Sequence, residues 1–392
     1  MEEFIFHNPT KIIFGRGKIG ELGKEIRPVG KRVLFVYGQG SIRKYGVYDQ
    51  IVRSLEDGGI ERVELPGVRP NPVLSLVYRG IERAREAGVD AVVAAGGGSS
   101  MDTAKAIAAG VAADHDVWEF FQFRKTIKKA LPVFAVPTVA ASASEMNGAA
   151  VITREEGARK FSARSPHLNP RTSILDPSVL FSLSPTYSAY SAVDAITHAL
   201  EGYFNNTAGE SALQERLIEA LIRTIMESTE IILRDPRNYD ARASMMWSAV
   251  LAFNGLTTAG LGRATLPVHM MEHSLSALYD IPHGAGLSIL LPAWMAFRAA
   301  GDPGKFARFG RAIFGIEDWD DLSAALRGAR FLRAWFGGIG APVTLQEGGI
   351  PEGDVEAIAE HALALAGVWQ LPEYTKDVMI EVLRRCTIPF PG

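Results

Sequence analysis

The feature that most constrains the fold is a series of continuous apolar runs in the first half of the chain, each ended by glycine or proline. The clearest are residues 31–38 (KRVLFVYG), 89–98 (VDAVVAAGGG) and 131–138 (LPVFAVPT). Strands that are buried on both faces have this pattern, because neither face needs polar residues. Residues 71–88 between the first two runs have helical spacing and end at Gly88. This alternation predicts a parallel sheet covered by helices.

The pattern changes after about residue 184. Residues 188–204 and 211–235 have long helical patterns, and no convincing strand follows them. A chain of 392 residues is also longer than one hydrophobic core usually supports. We therefore predict two domains, an α/β nucleotide-binding domain at residues 1–180 and an all-helical metal-binding domain at residues 181–392.

Composition excludes several classes of protein. The formal charge of −3 and the 22% of charged residues give no indication of nucleic-acid or anionic membrane binding. The acidic N-terminus lacks the pattern of a signal peptide, and no apolar stretch is long enough to cross a bilayer. Cys386 is the only cysteine, which fits a cytoplasmic location and leaves histidine and carboxylate as the metal ligands.

A glycine-rich turn follows the second apolar run, in residues 94–108 (AAGGGSSMDTAKAIA). Three glycines, Gly96 to Gly98, allow close approach of a ligand, and a helix that starts at Ser99 would direct its free amides at a pyrophosphate. The pattern is neither of the two common glycine motifs for dinucleotides and triphosphates. A plain strand-to-helix turn without a ligand remains the alternative.

A second turn, residues 35–46 (FVYGQGSIRKYG), follows the first apolar run. Gly38, Gln39 and Ser41 leave no carboxylate for the adenosine ribose, and Arg43 and Lys44 come next. This favours NADP slightly over NAD. The alternative is an ordinary turn with two solvated cations.

Histidines cluster in the second half of the chain. Asp194 and His198 are four residues apart on a helical pattern, as are His269 and His273, and His283 follows Pro282. One carboxylate with up to three imidazoles suits Fe²⁺ or Zn²⁺. Each histidine taken alone could simply be hydrogen-bonded in the fold.

The segment from His269 to His273 also matches the H-x-x-E-H pattern of some zinc proteases, in which Glu272 would act as general base. On the alternative interpretation Glu272 is a solvated or structural carboxylate. The protease hypothesis leaves the Asp194 and His198 pair, the glycine turn and the α/β half unexplained.

Three segments together resemble the iron-containing (group III) alcohol dehydrogenases. GGGSSMDTAKAIA, VDAITHALEGYF and HMMEHSLSALYDIPHGAGLSILLP occur in the order found in that family. The resemblance covers essentially the whole chain and is closest to the butanol dehydrogenase and broad-range aldehyde reductase branch. It implies a dehydroquinate synthase-like fold, with an N-terminal Rossmann-like α/β domain, an all-helical C-terminal domain, and nicotinamide and metal in the cleft between them.

The resemblance also assigns site residues. It implies metal ligation by Asp194, His198, His269 and His283, and it places His273 beside the substrate and nicotinamide as the catalytic residue. The cofactor-binding residues that it implies, together with those of the second glycine turn, are Gly38, Gln39, Ser41, Asn71, Gly97, Gly98, Ser99, Asp102, Thr138, Ser142 and Lys160. In the segment that begins at Thr138, Ser142 stands where the family has threonine and Ala143 where it has glycine.

We therefore expect reversible hydride transfer between a nicotinamide cofactor and a primary alcohol or aldehyde, with a divalent metal as Lewis acid. The expected cofactors are NADP or NAD, with a slight preference for NADP, and Fe²⁺, with Zn²⁺ as the alternative. The expected assembly is a homodimer. A metal-dependent lyase or cyclase of the dehydroquinate synthase type and an H-x-x-E-H metalloprotease are the alternative functions.

Overall fold

The structure, a computed structural model, describes residues 1–209 and 211–387. The chain divides into two compact units. One unit contains His7–Leu183 and Pro236–Asn254, and the other contains Met1–Phe6, Ser184–Asp235 and the chain from Gly255 onward. The domain division at residues 180 and 181 remains a proposal. Two short segments lie on the other side of it, since Met1–Phe6 belongs to the unit that contains Ser184–Asp235 and Pro236–Asn254 belongs to the unit that contains His7–Leu183.

The first unit is built on a six-stranded parallel sheet with the order β1-β8-β5-β4-β2-β3. A separate antiparallel pair is formed by β6 and β7. The strands are β1 (Lys11–Phe14), β2 (Arg32–Gly38), β3 (Glu61–Val68), β4 (Ala91–Gly96), β5 (Val133–Pro137), β6 (Ala149–Arg154), β7 (Arg159–Arg164) and β8 (Thr172–Leu175). The three apolar runs are the central strands β2, β4 and β5, and the predicted fold class is confirmed.

Seven α-helices belong to this unit. They are α1 (Leu22–Ile26), α2 (Ser41–Lys44), α3 (Val47–Asp57), α4 (Leu74–Ala87), α5 (Gly98–Val111), α6 (Trp118–Phe121) and α9 (Tyr239–Ala252). As predicted, α4 ends at Gly88, whose φ of 59° is left-handed. The helix α9 packs on the 3-10 helix Pro177–Ser182, and Trp247 contacts Phe14 edge-on at 6.3 Å.

The second unit is helical throughout its described part, with no strand among residues 1–6, 184–209, 211–235 and 255–387. Its α-helices are α7 (Pro185–Phe204), α8 (Ala212–Arg234), α10 (Pro267–Tyr279), α11 (His283–Ala299), α12 (Gly304–Phe314), α13 (Asp321–Gly338), α14 (Val355–Val368) and α15 (Lys376–Arg385). The two long helical patterns of the sequence are α7 and α8. No helix in the described part of the chain has the length and apolar character needed to cross a membrane.

The helices α7, α10 and α11 lie in the core of the second unit, and most of their residues are buried. Every residue of α7 from Ser191 to Phe204 is buried, including its charged residues. Buried charged groups need partners, because desolvation without compensation is costly. Cys386 is also buried in this unit, where its thiol donates to the Ile289 and Val382 carbonyls, and burial raises the pKa of that thiol to about 12.

Candidate active site

The helix α7 carries three buried polar residues on one face, Asp194, His198 and Glu201. Their spacings of four and three residues bring successive side chains above one another along the helix. The helix starts cleanly, since the Ser184 side chain accepts the backbone N–H of Tyr187 and Pro185 occupies the first turn.

The helices α10 and α11 supply the remaining histidines. His269, Glu272 and His273 lie on α10, and His283 is the first residue of α11. The next residue is Gly284, where a Cβ atom would lie 2.3 Å from the Tyr190 carbonyl oxygen on α7. Only glycine therefore allows the start of α11 to pack so closely on α7 and to bring His283 toward Asp194.

Four side chains from these three helices converge. The Nε2 atoms of His198, His269 and His283 lie 3.2, 3.6 and 3.7 Å from Oδ1 of Asp194. The imidazoles of His198 and His269 are stacked, with ring centroids 4.2 Å apart. Four ligand atoms bound tetrahedrally at ~2.0–2.1 Å would be separated by roughly 3.3 Å. The observed separations are therefore close to those that a bound divalent metal requires.

A second layer of carboxylates holds two of the imidazoles. Glu201 accepts a hydrogen bond from Nδ1 of His269 and another from the backbone N–H of Val268. Glu272 accepts from Nδ1 of His283 and from the Ser276 hydroxyl. A proton on Nδ1 leaves the lone pair on Nε2, which is the atom that faces Asp194.

The donor set passes a chemical test for metal binding. Oδ1 of Asp194 and Nε2 of His269 are buried, and neither makes a hydrogen bond to any described residue. Buried polar atoms in native proteins are normally satisfied, so these two atoms fit a bound cation as their partner. The set suits Fe²⁺ or Zn²⁺, since it offers imidazole nitrogens and one carboxylate.

Electrostatics agrees with this donor set. Burial and then the charge of His269 together lower the pKa of His198 to about 4, so His198 is neutral at pH 7. Burial opposes ionisation of Asp194, but the charge of His198 holds its pKa well below the ordinary value. Burial lowers the pKa of His269 as well, yet the charge of Glu201 outweighs it and raises that pKa to about 9.

His273 lies beside this cluster and not among its donor atoms. Its ring is 5.9 Å from that of His283 and 5.2 Å from that of Trp369, which it meets edge-on. The ligand-atom cluster found in the described part of the chain consists of Asp194, His198 and His269, with His283 adjoining it. The structure thus separates the two histidines of α10, which their spacing could not do.

The protease hypothesis for the H-x-x-E-H segment is wrong. Glu272 is fully buried and its two carboxylate oxygens are engaged with Ser276 and His283. A general base must instead reach a water or substrate proton. The alternative interpretation of Glu272 as a structural carboxylate is the better one, although it is not solvated.

The glycine turns of the first unit lie at one edge of the sheet. The strands β2 and β4 are parallel neighbours, so Gly38 and Gly96 end their strands on the same side. Gly96 has a φ of 146°, and a Cβ atom on it would lie 2.3 Å from Oγ of Ser100. Gly97 is the N-terminal cap of α5 and Gly98 its first residue, followed by Ser99.

The segment from Thr138 to Ala143 packs on this turn. The Thr138 N–H donates to the Gly96 carbonyl at 2.8 Å, and a Cβ atom on Gly98 would lie 2.5 Å from Oγ of Ser142. Ala143 has a left-handed φ of 51°. That backbone conformation explains the glycine of the family pattern, since alanine there costs about 1 kcal/mol.

Asp102 and Lys105 on α5 form hydrogen bonds to the segment from Ser144 to Val151. Both carboxylate oxygens of Asp102 accept protein hydrogen bonds, from the Ser144 hydroxyl at 2.7 Å and the Val151 N–H at 3.0 Å. The ammonium group of Lys105, fully buried, donates to the Ser144 hydroxyl and to the carbonyls of Asn147 and Ala149, each at 2.8 Å. Burial lowers the pKa of Lys105 to about 8.

The other expected cofactor residues fall into two places. Lys160 on β7 donates to Oδ1 of Asn71 at 3.1 Å, and Asn71 has a left-handed φ of 53°. Gly38 ends β2, Gln39 follows it, and Ser41 begins α2. The structure brings the residues within each place together, and their role in coenzyme binding remains a prediction.

Sequence reasoning missed Glu201, Lys105 and the role of Glu272. Glu201 lies seven residues after Asp194, on the same helical face, and this spacing could have indicated it. Lys105 follows Asp102 by one turn inside an otherwise apolar helix, where a charged residue needs a partner.

The sequence pattern of iron-containing alcohol dehydrogenases matches residues 9–177, and the pattern of the C-terminal part of the Fe-containing alcohol dehydrogenase family matches residues 188–387. The chain therefore belongs to the iron-containing alcohol dehydrogenase family. It is an NAD(P)-linked, metal-dependent enzyme of the alcohol dehydrogenase and aldehyde reductase type.

Relatives in the butanol dehydrogenase and aldehyde reductase branch are similar along their whole length. NADH-dependent butanol dehydrogenase A of Clostridium acetobutylicum is 38% identical, over 98% of this chain and 100% of its own. NADPH-dependent aldehyde reductase YqhD of Escherichia coli is 34% identical, over 98% of each chain. The crystal structure of NADH-dependent butanol dehydrogenase A from Thermotoga maritima is 44% identical, covers 99% of both chains and has a TM-score of 0.95.

Proposed function

We propose that this enzyme interconverts primary alcohols and aldehydes, with NAD(P)H as hydride donor in the reductive direction. The observation that carries the proposal is the buried set of donor atoms around Oδ1 of Asp194, oriented by a second layer of carboxylates. The names of the relatives support short apolar substrates of the butanol and butanal type. Neither the lyase nor the protease alternative is supported by the family assignment.

We propose Asp194, His198, His269 and His283 as the ligands of the divalent metal, with Fe²⁺ expected and Zn²⁺ as the alternative. When bound, the metal supplies a Lewis acid that polarises the substrate oxygen. The protein supplies the orientation. Glu201 and Glu272 hold His269 and His283 with Nε2 toward Asp194. Mutation of a residue that orients a metal ligand in this way typically weakens metal binding 10- to 100-fold.

We propose His273 as the catalytic residue that moves the proton. It is buried beside His283, and an imidazole exchanges protons near neutral pH without large rearrangement. Trp369 meets its ring edge-on and restricts its orientation.

For the coenzyme we propose the turns at Gly97–Ser99 and Gly38–Ser41, with Asn71, Thr138, Ser142 and Lys160 nearby. Glycines let the backbone approach the pyrophosphate, which a helix N-terminus such as that of α5 favours. Asp102 contributes by holding Ser144 and Val151, since both of its oxygens are already engaged. The slight preference for NADP rests on Arg43 and Lys44, and the surroundings of Arg43 argue against it.

The proposal is tested by variants of the donor set. His269→Ala and Asp194→Ala should lose bound metal and turnover of butanal, and NADH or NADPH binding should remain measurable by nicotinamide fluorescence. Metal content is measured after purification without chelator. Full activity in a metal-free variant would contradict the proposed site.

A cytoplasmic location and a homodimeric state are proposed from the family resemblance. Light scattering on the purified protein tests the second, since a monomer mass at micromolar concentration would contradict it.

A further inference from the structure

The side chain of Arg43, on the helix that follows the predicted coenzyme turn, is engaged by protein groups. It lies on α2, five residues after Gly38, and is one of the two cations, with Lys44, on which the expected preference for NADP rests. Its Nη2 atom donates to the Tyr37 hydroxyl at 2.6 Å and to Oε2 of Glu64 at 2.9 Å. Its guanidinium carbon lies 3.7 Å from the ring centroid of Tyr48, a close cation–π contact.

Glu64 organises this arrangement from the neighbouring strand β3. It accepts from the Tyr37 hydroxyl at 2.6 Å and from the Tyr48 hydroxyl at 2.5 Å. Because these hydroxyls donate to it, the pKa of Glu64 is lowered in spite of partial burial, and the side chain is ionised at neutral pH. We call Tyr37, Tyr48 and Glu64 the Glu64 clamp.

The charges around the clamp are balanced. Arg62 on the same strand contacts Glu64 at 3.4 Å and Glu56 at 3.1 Å, so two guanidinium groups face two carboxylates. A 2′-phosphate would bring about two negative charges to this neighbourhood and would need Arg43 to leave both its carboxylate and the Tyr48 ring. A ribose hydroxyl is neutral and needs neither change.

We propose that Glu64 is a coenzyme-specificity residue, which withholds Arg43 from the adenosine end of the site and makes the enzyme prefer NADH to NADPH. This inference rests on the proposed coenzyme site and reverses the slight preference for NADP drawn from the sequence. Glu64 acts through Arg43 and is therefore a positioning residue. Loss of one ion pair and one cation–π contact accounts for a preference of about tenfold.

The test measures dissociation constants for NADH and NADPH by nicotinamide fluorescence, which needs neither metal nor turnover. Wild type should bind NADH about tenfold more tightly. Glu64→Gln keeps the size of the side chain and one acceptor oxygen, and its amide group can donate to the other tyrosine hydroxyl. It removes the charge and should shift the ratio of the two constants about tenfold toward NADPH. The double variant Glu64→Gln with Arg43→Leu should lose that shift, because it lacks the guanidinium group that would bind the 2′-phosphate of NADPH.

Glu61→Gln is the matched control. Glu61 lies at the start of the same strand and pairs with Arg32, so this variant makes the same change of charge outside the clamp. Glu61→Gln should leave the ratio of the NADH and NADPH dissociation constants unchanged. A shift as large as that of Glu64→Gln would show that the overall charge of the protein is the cause, and it would overturn the inference.

Four further results distinguish the outcomes. Tighter binding of NADPH than of NADH by wild type, or an unchanged ratio in a folded Glu64→Gln variant, would overturn the inference and leave the proposed function standing. A shift that survives in the double variant would also overturn it, since Arg43 would then not be the group released. Failure of wild type to bind either coenzyme would overturn both.

Discussion

Glu272 and His283 form a partly buried hydrogen bond that joins α10 to the first residue of α11. The carboxylate fixes the proton on Nδ1 and so fixes the side of the imidazole that faces Asp194. The same carboxylate accepts the Ser276 hydroxyl one turn further along α10, which holds it in place. The acidic residue inside the H-x-x-E-H segment is thus a support for a histidine that lies outside the segment.

Glu272→Ala should weaken metal binding 10- to 100-fold, because His283 loses the partner that orients it. Competition of the purified protein with a chelator of known affinity measures this change. Glu360→Gln, at an exposed position on α14, removes a similar charge and should leave metal affinity unchanged. Unaltered affinity in Glu272→Ala would show that the hydrogen bond does not matter for the site.

His273→Ala should keep its metal and lose at least about 100-fold in kcat, since general acid–base groups typically contribute 10²–10⁴-fold. The pH dependence of kcat should change with it. His115→Ala, at a partly exposed position of the other unit, is the control and should behave as wild type. If His273→Ala instead loses the metal, His273 is a ligand and the proposed donor set is incomplete.

Gly284→Ala should destabilise the protein by about 1 to 3 kcal/mol, the usual cost of overpacking. The added Cβ atom would lie 2.3 Å from the Tyr190 carbonyl oxygen, so α11 must move and take His283 with it. Metal content should therefore fall along with the midpoint of urea unfolding. Gly301→Ala meets no atom closer than 3.8 Å and should be tolerated, and equal stability of the two variants would refute the packing argument.

Lys105→Met should change how stability depends on pH. The pKa of Lys105 is lowered to about 8 in the folded protein, mainly by burial, whereas that of an unfolded lysine is about 10.4. Between these values the unfolded state binds more protons, so the free energy of unfolding of wild type rises with pH relative to Lys105→Met.

That difference should grow by about 1 to 2 kcal/mol between about pH 7.5 and about pH 9.5, as urea unfolding of both proteins would measure. Lys24→Met, at an exposed position, should show a constant difference from wild type. If the difference in free energy of unfolding between wild type and Lys105→Met is also constant with pH, the pKa of Lys105 is not lowered in the folded protein.

The central strands could be predicted from sequence because they are buried on both faces. The edges of the sheet could not. The strand β3 carries alternating charges and Pro66, and β1 and β8 have only four residues each, so neither composition nor length distinguishes them from loops. The N-terminal segment alternates like a strand from its first residues, yet strand pairing begins only at Lys11.

Spacing singled out the candidate histidines, but the family resemblance was needed to assign the proposed metal ligands among them, and the carboxylates that support them were not predicted. A glutamate in a helical pattern is usually exposed, and only the packing of α7 and α10 buries Glu201 and Glu272 completely. In the same way, Arg43 looks like a free cation in sequence, and the partners that hold it come from β3 and α3, whose placement depends on the whole sheet.

The buried thiol of Cys386 makes this enzyme convenient for site-directed labelling. Reaction with maleimides or disulfides requires the thiolate, which a raised pKa and the lack of solvent access both suppress in the native state. A cysteine introduced on the surface would therefore carry a fluorophore or spin label without first removing the natural one. In denaturant the natural thiol should become reactive, so that the rate of its alkylation reports the opening of the helical unit.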